Sequence, residues 1–371
     1  MKFKFFLLPY CVPDNYAPES ISLAEGLRSL GYNYSGNINY WQEDPEGNYL
    51  IKKDDAEDYD VAIYDYRYIY HSKKWTLSLL NHDKVNILLD RNDWISPEWK
   101  STDLSQFDFV LACHMLECFE YPSNFEPWCI GLTNRIIETI SRYPRRSDLY
   151  DPCRVVSNMR VPHNLRALLT ANLGSSIKQR FNVTVGEDGR ACRSPSIEFS
   201  SADALYNENS FGRHDPNYYE LLNNSAFTYS FGGYFESKPA FFAPYNVWER
   251  IRRKPHHMML KHRLKKKIDI TSGVFIFQFD NFRFWEALCS ASVPISLDFD
   301  FWGMMLPKKP EPGVHYIGIS KLDCVSAVNS ILELNENDAY RIGQAGRDWV
   351  LEQYRPVAVA QRLINRMHAV Q

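Results

Sequence analysis

The stretch Asp280–Asp300, DNFRFWEALCSASVPISLDFD, constrains the fold of this chain more than any other. It opens on an Asp-Asn turn, runs through a helix-compatible segment, Phe282–Ala291, and passes by Ser292-Val293-Pro294 into an apolar strand, Ile295–Phe299. A helix that feeds a buried strand within so few residues is the second half of a parallel crossover unit. Phe284, Leu288 and Ala291 share one helical face, and Glu286 lies off it. A carboxylate beside the carboxyl ends of parallel strands is placed to meet a ligand hydroxyl.

The same alternation runs through the chain twice. Lys2–Cys11 reads as a buried first strand, followed by a loop and by Glu19–Leu30, where Ile21, Leu23, Ala24, Leu27 and Leu30 fall near helical spacing and Gly31 ends the helix. Further strands are expected at Asp60–Tyr64, Lys84–Leu89 and Phe107–Cys113, with helices at Trp75–Leu80 and Leu132–Ser141. After the polar break Tyr143–Ser147 the pattern restarts. Arg154–Asn158 and Phe181–Val185 read as strands around a helix at Leu165–Ile177. The stretch Glu187–Ser210 reads as polar and irregular. Pro216–Asn224 is a helix capped by Asp215. Ala226–Phe231 is a strand running into Gly232-Gly233, Ile270–Phe279 is strand-like, and Val314–Ile319 is a last strand. Helices at Asp338–Gln353 and Val357–Val370 close the chain. The predicted class is α/β, with two facing Rossmann-like domains and a ligand cleft between the carboxyl ends of their sheets. Residues 1–150 form the N-terminal Rossmann-like domain and 151–355 the C-terminal one. Residues 356–371 form a terminal helix that packs back on the N-terminal domain.

With 371 residues, 45% hydrophobic and 23% charged, the chain has the composition of a globular protein of two ordinary domains. A net charge of −3 excludes a general polyanion binder, so no nucleic-acid partner is expected. None of the eight cysteines forms C-x-x-C, and His114 beside Cys113 lacks further zinc ligands, which points to a reducing, cytoplasmic compartment. The N-terminal MKFKFFLLPYCVP has a short apolar run holding Lys4 and no small-residue cleavage site, so it is read as a strand and not a leader. Residues 250–267 carry nine Lys and Arg, with His256, His257 and His262 among them. Two readings stay open there: a solvated face broken near Pro255, or a surface for phosphates or an anionic membrane that would make the protein peripheral to it.

Asn281-Phe282-Arg283-Phe284-Trp285-Glu286-Ala287-Leu288 followed by Cys289-Ser290-Ala291-Ser292-Val293-Pro294-Ile295 resembles the donor-binding half of GT-B glycosyltransferases, in particular exostosin-type and capsule-type enzymes. The close match covers about 15 residues, and the element order extends it loosely over about 200. The resemblance implies transfer of a sugar from a nucleotide-sugar co-substrate to a glycan, lipid-linked or protein acceptor. It gives Glu286 the ribose diol and Arg283 the diphosphate, where a guanidinium makes charge-assisted bonds. The amides at Asn281 and Phe282 add a positive dipole end. Gly232 and Gly233 allow close approach to the backbone, and Arg160 and Arg213 are further candidate phosphate ligands.

Two positions depart from the family pattern. Gln278 stands where retaining members carry a first Glu, and it cannot carry charge, so stereochemistry stays open. Ala291 stands where Gly is common. A catalytic base is expected from the N-terminal domain, with Asp14, Asp93 and His114 as candidates in that order. Asp58-Tyr59-Asp60 leads into a strand and Asp298-Phe299-Asp300 closes one, so neither reads as a metal site. The latter is expected to cap a loop or meet a sugar hydroxyl. No metal and no further cofactor are expected. The alternative reading is a non-catalytic nucleotide- or sugar-binding protein on the same fold.

Overall fold

The computed structural model describes residues 1–9, 16–71, 80–91, 104–159, 163–185, 197–237, 274–277 and 279–369. The first half contains β1 (Lys2–Phe6), α1 (Pro18–Ser29), β2 (Asn33–Gly36), β3 (Tyr40–Gln42), β4 (Tyr49–Ile51), β5 (Val61–Asp65), α2 (Tyr66–His71), β6 (Val85–Asp90), β7 (Phe109–Ala112), β8 (Phe125–Pro127) and α3 (Asn134–Arg142). The second half contains β9 (Asp151–Ser157), α4 (Asn164–Ile177), β10 (Asn182–Val185), α5 (Ser201–Asn209), α6 (Pro216–Asn223), β11 (Ser225–Tyr229), β12 (Tyr234–Ser237), β13 (Val274–Phe277), α7 (Phe282–Cys289), β14 (Val293–Leu297), β15 (Ile317–Ile319), α8 (Val325–Glu333), α9 (Glu336–Tyr354) and α10 (Pro356–His368).

Two parallel sheets result, ordered β2-β1-β5-β6-β7-β8 and β10-β9-β11-β14-β15. Numbering only the strands of each sheet in chain order, both begin 2-1-3-4-5. The order therefore reverses between β1 and β5 in one sheet and between β9 and β11 in the other, which is where such sheets open a crevice at the strand ends. Period-2 alternation sorts the first sheet's side chains. Phe3, Phe5, Ile63, Ile87 and Leu89 face one core, while Ala62, Tyr64, Leu88 and Val110 face another. Of the run expected to be strand-like at 270–279, the described residues Val274–Phe277 form β13, which stands outside the parallel sheet and pairs antiparallel with β12 as a separate ribbon, Tyr234 opposite Phe277.

Gly31 ends α1 with φ 77, as its position predicts. Within the stretch expected to be irregular, α5 forms because the Ser200 hydroxyl accepts the Asp203 N–H at 3.1 Å, an N-cap signal in Ser200-Ser201-Ala202-Asp203 that outweighs the polar composition. Val359, Ala360, Leu363, Ile364 and Met367 of α10 join the core shared by α1 and the first sheet. Ile136 and Ile140 of α3 join the core of the second half. The expected helix at Trp75–Leu80 falls, but for Leu80, outside the described residues.

Candidate active site at the cleft

The start of α7 is pinned over the carboxyl end of β11. Asn281 caps the helix by accepting the Phe284 N–H at 3.3 Å, and its side-chain amide donates to the carbonyls of Ser230 and Phe279, both at 3.1 Å. Asp280 accepts the Ile130 N–H at 2.6 Å from the first half and the Trp285 indole N–H within α7. Burial raises its pKa to about 7 against those two hydrogen bonds. The side chains of Asp280 and Asn281 are thus occupied in building the cleft. Phe282 crosses it, stacking on Tyr16 with ring centroids 5.8 Å apart.

Glu286, expected off the apolar face of its helix, is nevertheless only 5% exposed, because the facing half and α6 cover that side. Its Oε1 accepts the Tyr219 hydroxyl at 3.3 Å. The Tyr219 oxygen accepts from Arg135 Nη1 at 3.3 Å, and the Arg135 guanidinium also bonds the Tyr16 hydroxyl and, at 2.9 Å, His214 Nδ1. His214 Nε2 meets Asp203 Oδ1 at 2.8 Å. Asp203 is held in turn by both terminal nitrogens of Arg142, at 3.1 and 2.6 Å, and by the Ser200 hydroxyl at 2.7 Å.

The electrostatics follow from burial. Desolvation pushes the Glu286 carboxyl up to about 7, opposed by Arg135, Arg283, the Tyr219 hydrogen bond and Arg213. Desolvation pulls His214 down to about 4, so its ring is neutral near pH 7. Burial works to raise Asp203, but its hydrogen bonds from His214, Arg142 and Ser200 prevail and hold it well below the usual carboxylate range.

Of the residues expected from sequence, Arg283 is half-buried on α7 and acts electrostatically on Glu286 and Tyr218. Arg213 is exposed, with its guanidinium 5.9 Å from the ring centres of both Tyr16 and Phe282. Gly232 and Gly233 are buried just beyond β11, on one side of the order reversal of the second sheet. His114 is buried beyond the end of β7 and packs edge-on against Phe279, 5.4 Å between centroids. Asp14, Asp93, Arg160, Gln278 and the basic stretch 250–267 lie outside the described residues. Asp298 caps its loop, accepting the N–H groups of Asp300 and Phe301 at 3.1 and 3.0 Å, while Asp300 pairs with Lys309 at 2.9 Å.

Arg135, Tyr219, Tyr16, His214 and Asp203 escaped the sequence reading. Arg135 did leave a trace: it shares the buried face of α3 with Ile136, Thr139 and Ile140, an unusual place for a guanidinium. Tyr16 and His214 sit in connecting segments, where no periodicity marks them. Among the described residues, no group of three or more His, Cys, Asp or Glu is placed to hold a metal ion.

No family model matches the chain, and no curated protein matches it in sequence. Among solved structures, an alpha-glucosyltransferase in complex with UDP and a 13-mer DNA containing a HMU base superposes with a TM-score of 0.54 at 11% identity, over 99% of this chain and 98% of that one. An alpha-glucosyltransferase in complex with UDP gives 0.53 at 10% identity over 99% and 100% of the two chains. Anabaena HepE in complex with UDP and glucose gives 0.51 at 9% identity over 100% of both. The chain shares their fold. It is the GT-B arrangement, two Rossmann-like domains facing each other across a cleft, and at identities this low the likeness speaks for the fold alone.

Proposed function

We propose that the protein is a glycosyltransferase that moves a sugar from a nucleoside-diphosphate sugar to a glycan, lipid-linked or protein acceptor without a metal ion. One observation carries this reading: a carboxylate, Glu286, sits at the cleft of a GT-B fold under the influence of Arg135, Arg283 and Arg213. In this reading Glu286 accepts the ribose hydroxyls. Arg283, with Arg213 and Arg160, stabilises the diphosphate as it leaves, the point at which charge develops. Gly232 and Gly233, beside the order reversal of the second sheet, let the nucleotide approach the backbone. The base that activates the acceptor comes from Asp14, Asp93 or His114. The structures similar in fold that hold UDP, and the local resemblance of residues 281–295 to exostosin-type and capsule-type enzymes, support the reading.

Among the described residues no helix is long and apolar enough to cross a membrane. A cytoplasmic enzyme whose basic stretch 250–267 meets an anionic membrane is consistent with lipid-linked acceptors.

The test is calorimetry with the common ribonucleoside diphosphates, followed by transfer assays from their sugar conjugates to glycan, lipid-linked, protein and DNA acceptors. DNA belongs in the panel because one enzyme of similar fold carries it. Glu286→Gln is expected to keep the fold and lose about tenfold or more in nucleotide affinity, the scale of one charged hydrogen bond. Equal affinity in parent and variant would remove Glu286 from the donor site. Binding without transfer or slow hydrolysis across the panel would leave a binding protein instead of an enzyme.

A further inference from the structure

We propose that Tyr219 and Arg135 are positioning residues, which present Glu286 to the ribose of a ribonucleoside diphosphate with one oxygen tied and the other free, so that the site selects ribo- over deoxyribonucleotides. The inference rests on the reading of Glu286 as the ribose ligand and adds what aims it.

The direction of each hydrogen bond follows from chemistry. An ionised Asp203 can only accept, so the hydrogen at its 2.8 Å contact belongs to His214 Nε2. That leaves His214 Nδ1 as the bare nitrogen, and it accepts from Arg135 Nη1 at 2.9 Å. A guanidinium has only hydrogens to give, so the Tyr219 oxygen also accepts from it, at 3.3 Å. With its oxygen engaged, the Tyr219 hydroxyl turns its own hydrogen onto Glu286 Oε1, again at 3.3 Å. Both contacts to the Tyr219 oxygen are long, with room to tighten when a ligand fills the cleft. Donation therefore runs outward from Arg135 both ways, through His214 to Asp203 and through Tyr219 to Glu286, where it ends with a donor on Oε1. Glu286 Oε2 has no hydrogen-bond partner among the described residues. Arg135 is 3% exposed and hydrogen-bonds no carboxylate among the described residues, and Tyr219 is fully buried with its hydroxyl on Glu286, so the pair acts on the site through Glu286.

The groups that face Glu286 are Arg135 from α3, Tyr218 and Tyr219 from α6, Arg213 from the turn after α5, Tyr16 from the segment before α1, and Arg283 and Cys289 on α7 itself. Of these, the arginines and the Tyr219 hydrogen bond favour the ionised carboxylate, and only that form accepts from both hydroxyls of a ribose.

Affinities for UDP and 2′,3′-dideoxy-UDP, measured by calorimetry from about pH 5.5 to 9, separate the ribose contribution from titration of the phosphates themselves. In the wild type the preference for UDP should stand at high pH and disappear as pH falls through about 7. Tyr219→Phe keeps the ring and the Arg135 charge but removes the donor. Its midpoint should move up by about one pH unit, and its preference for UDP at neutral pH should fall about tenfold. A wild-type ribose preference that is flat with pH overturns the inference without any variant. So does an unchanged midpoint in a folded Tyr219→Phe, while the donor-site reading survives both results. If no ribonucleoside diphosphate binds the wild type at all, the donor-site reading fails and this inference falls with it.

Discussion

Ala291 shows how much one residue can carry. It follows α7 with φ 57, the left-handed conformation that glycine adopts at the end of a helix. The surrounding bonds are those of a Schellman ending: Ala291 N–H to the Leu288 carbonyl and Ser292 N–H to the Ala287 carbonyl, both at 3.0 Å. The Ala291 carbonyl in turn accepts from Arg145 Nη2 at 3.1 Å and lies under Gly343, where an added Cβ would come within 2.3 Å of it. Ala291→Gly should therefore stabilise the protein by about 0.5–1 kcal/mol in denaturant titrations, strain relief outweighing added chain entropy. Gly343→Ala should destabilise it by about 2 kcal/mol or more, since α9 has to move away. The sequence comparison that marked Ala291 as an unusual residue in a glycine position was thus reading a conformational requirement.

At the scale of elements, two buried carboxylates tie the segment leading into α3 to its surroundings. Asp280 accepts the Ile130 N–H, and Glu25 of α1 accepts the Asn134 N–H at 2.7 Å. Burial raises Glu25 from 4.5 to about 8 despite that hydrogen bond and nearby Arg135 and Arg28. A carboxyl with its folded pKa above its unfolded one holds its proton better in the native state. Its contribution is complete below the unfolded value and is lost as pH rises through the folded one. Stability should then decline from about pH 5 to 8 as Glu25, Asp280, Glu286 and Glu19 are forced to ionise. His214 works in the opposite sense: its pKa is depressed from 6.5 to about 4, so its contribution is lost as pH falls through that window. Glu25→Gln keeps an acceptor for Asn134 and removes one ionisation. Urea titrations at about pH 9 should show it more stable than the parent by about 2 kcal/mol, with a shallower pH slope. No difference between the two at that pH would mean that Glu25 ionises without cost.

Across the whole molecule, the last helix closes a long loop in sequence by returning to the first sheet. Gly26 lets α10 approach α1 so closely that an added Cβ would stand 2.1 Å from the Pro356 carbonyl oxygen. Leu363 is buried in that shared core. Leu363→Ala should cost about 2–4 kcal/mol by thermal or denaturant unfolding, although the helix follows directly on the second half. The sequence by itself determined what depends on near neighbours. Strand and helix periodicity showed two successive α/β series, Gly31 showed the end of α1, and Asp280–Asp300 showed a helix leading into a buried strand with Glu286 on it. Three things depended on tertiary structure: the burial of Glu286, the run of hydrogen bonds from Asp203 through His214, Arg135 and Tyr219, and the departure of β13 from the parallel sheet. The reason is distance along the chain. Arg135 and Glu286 are brought together by the docking of two halves, and neither propensity nor spacing encodes a contact between residues so far apart.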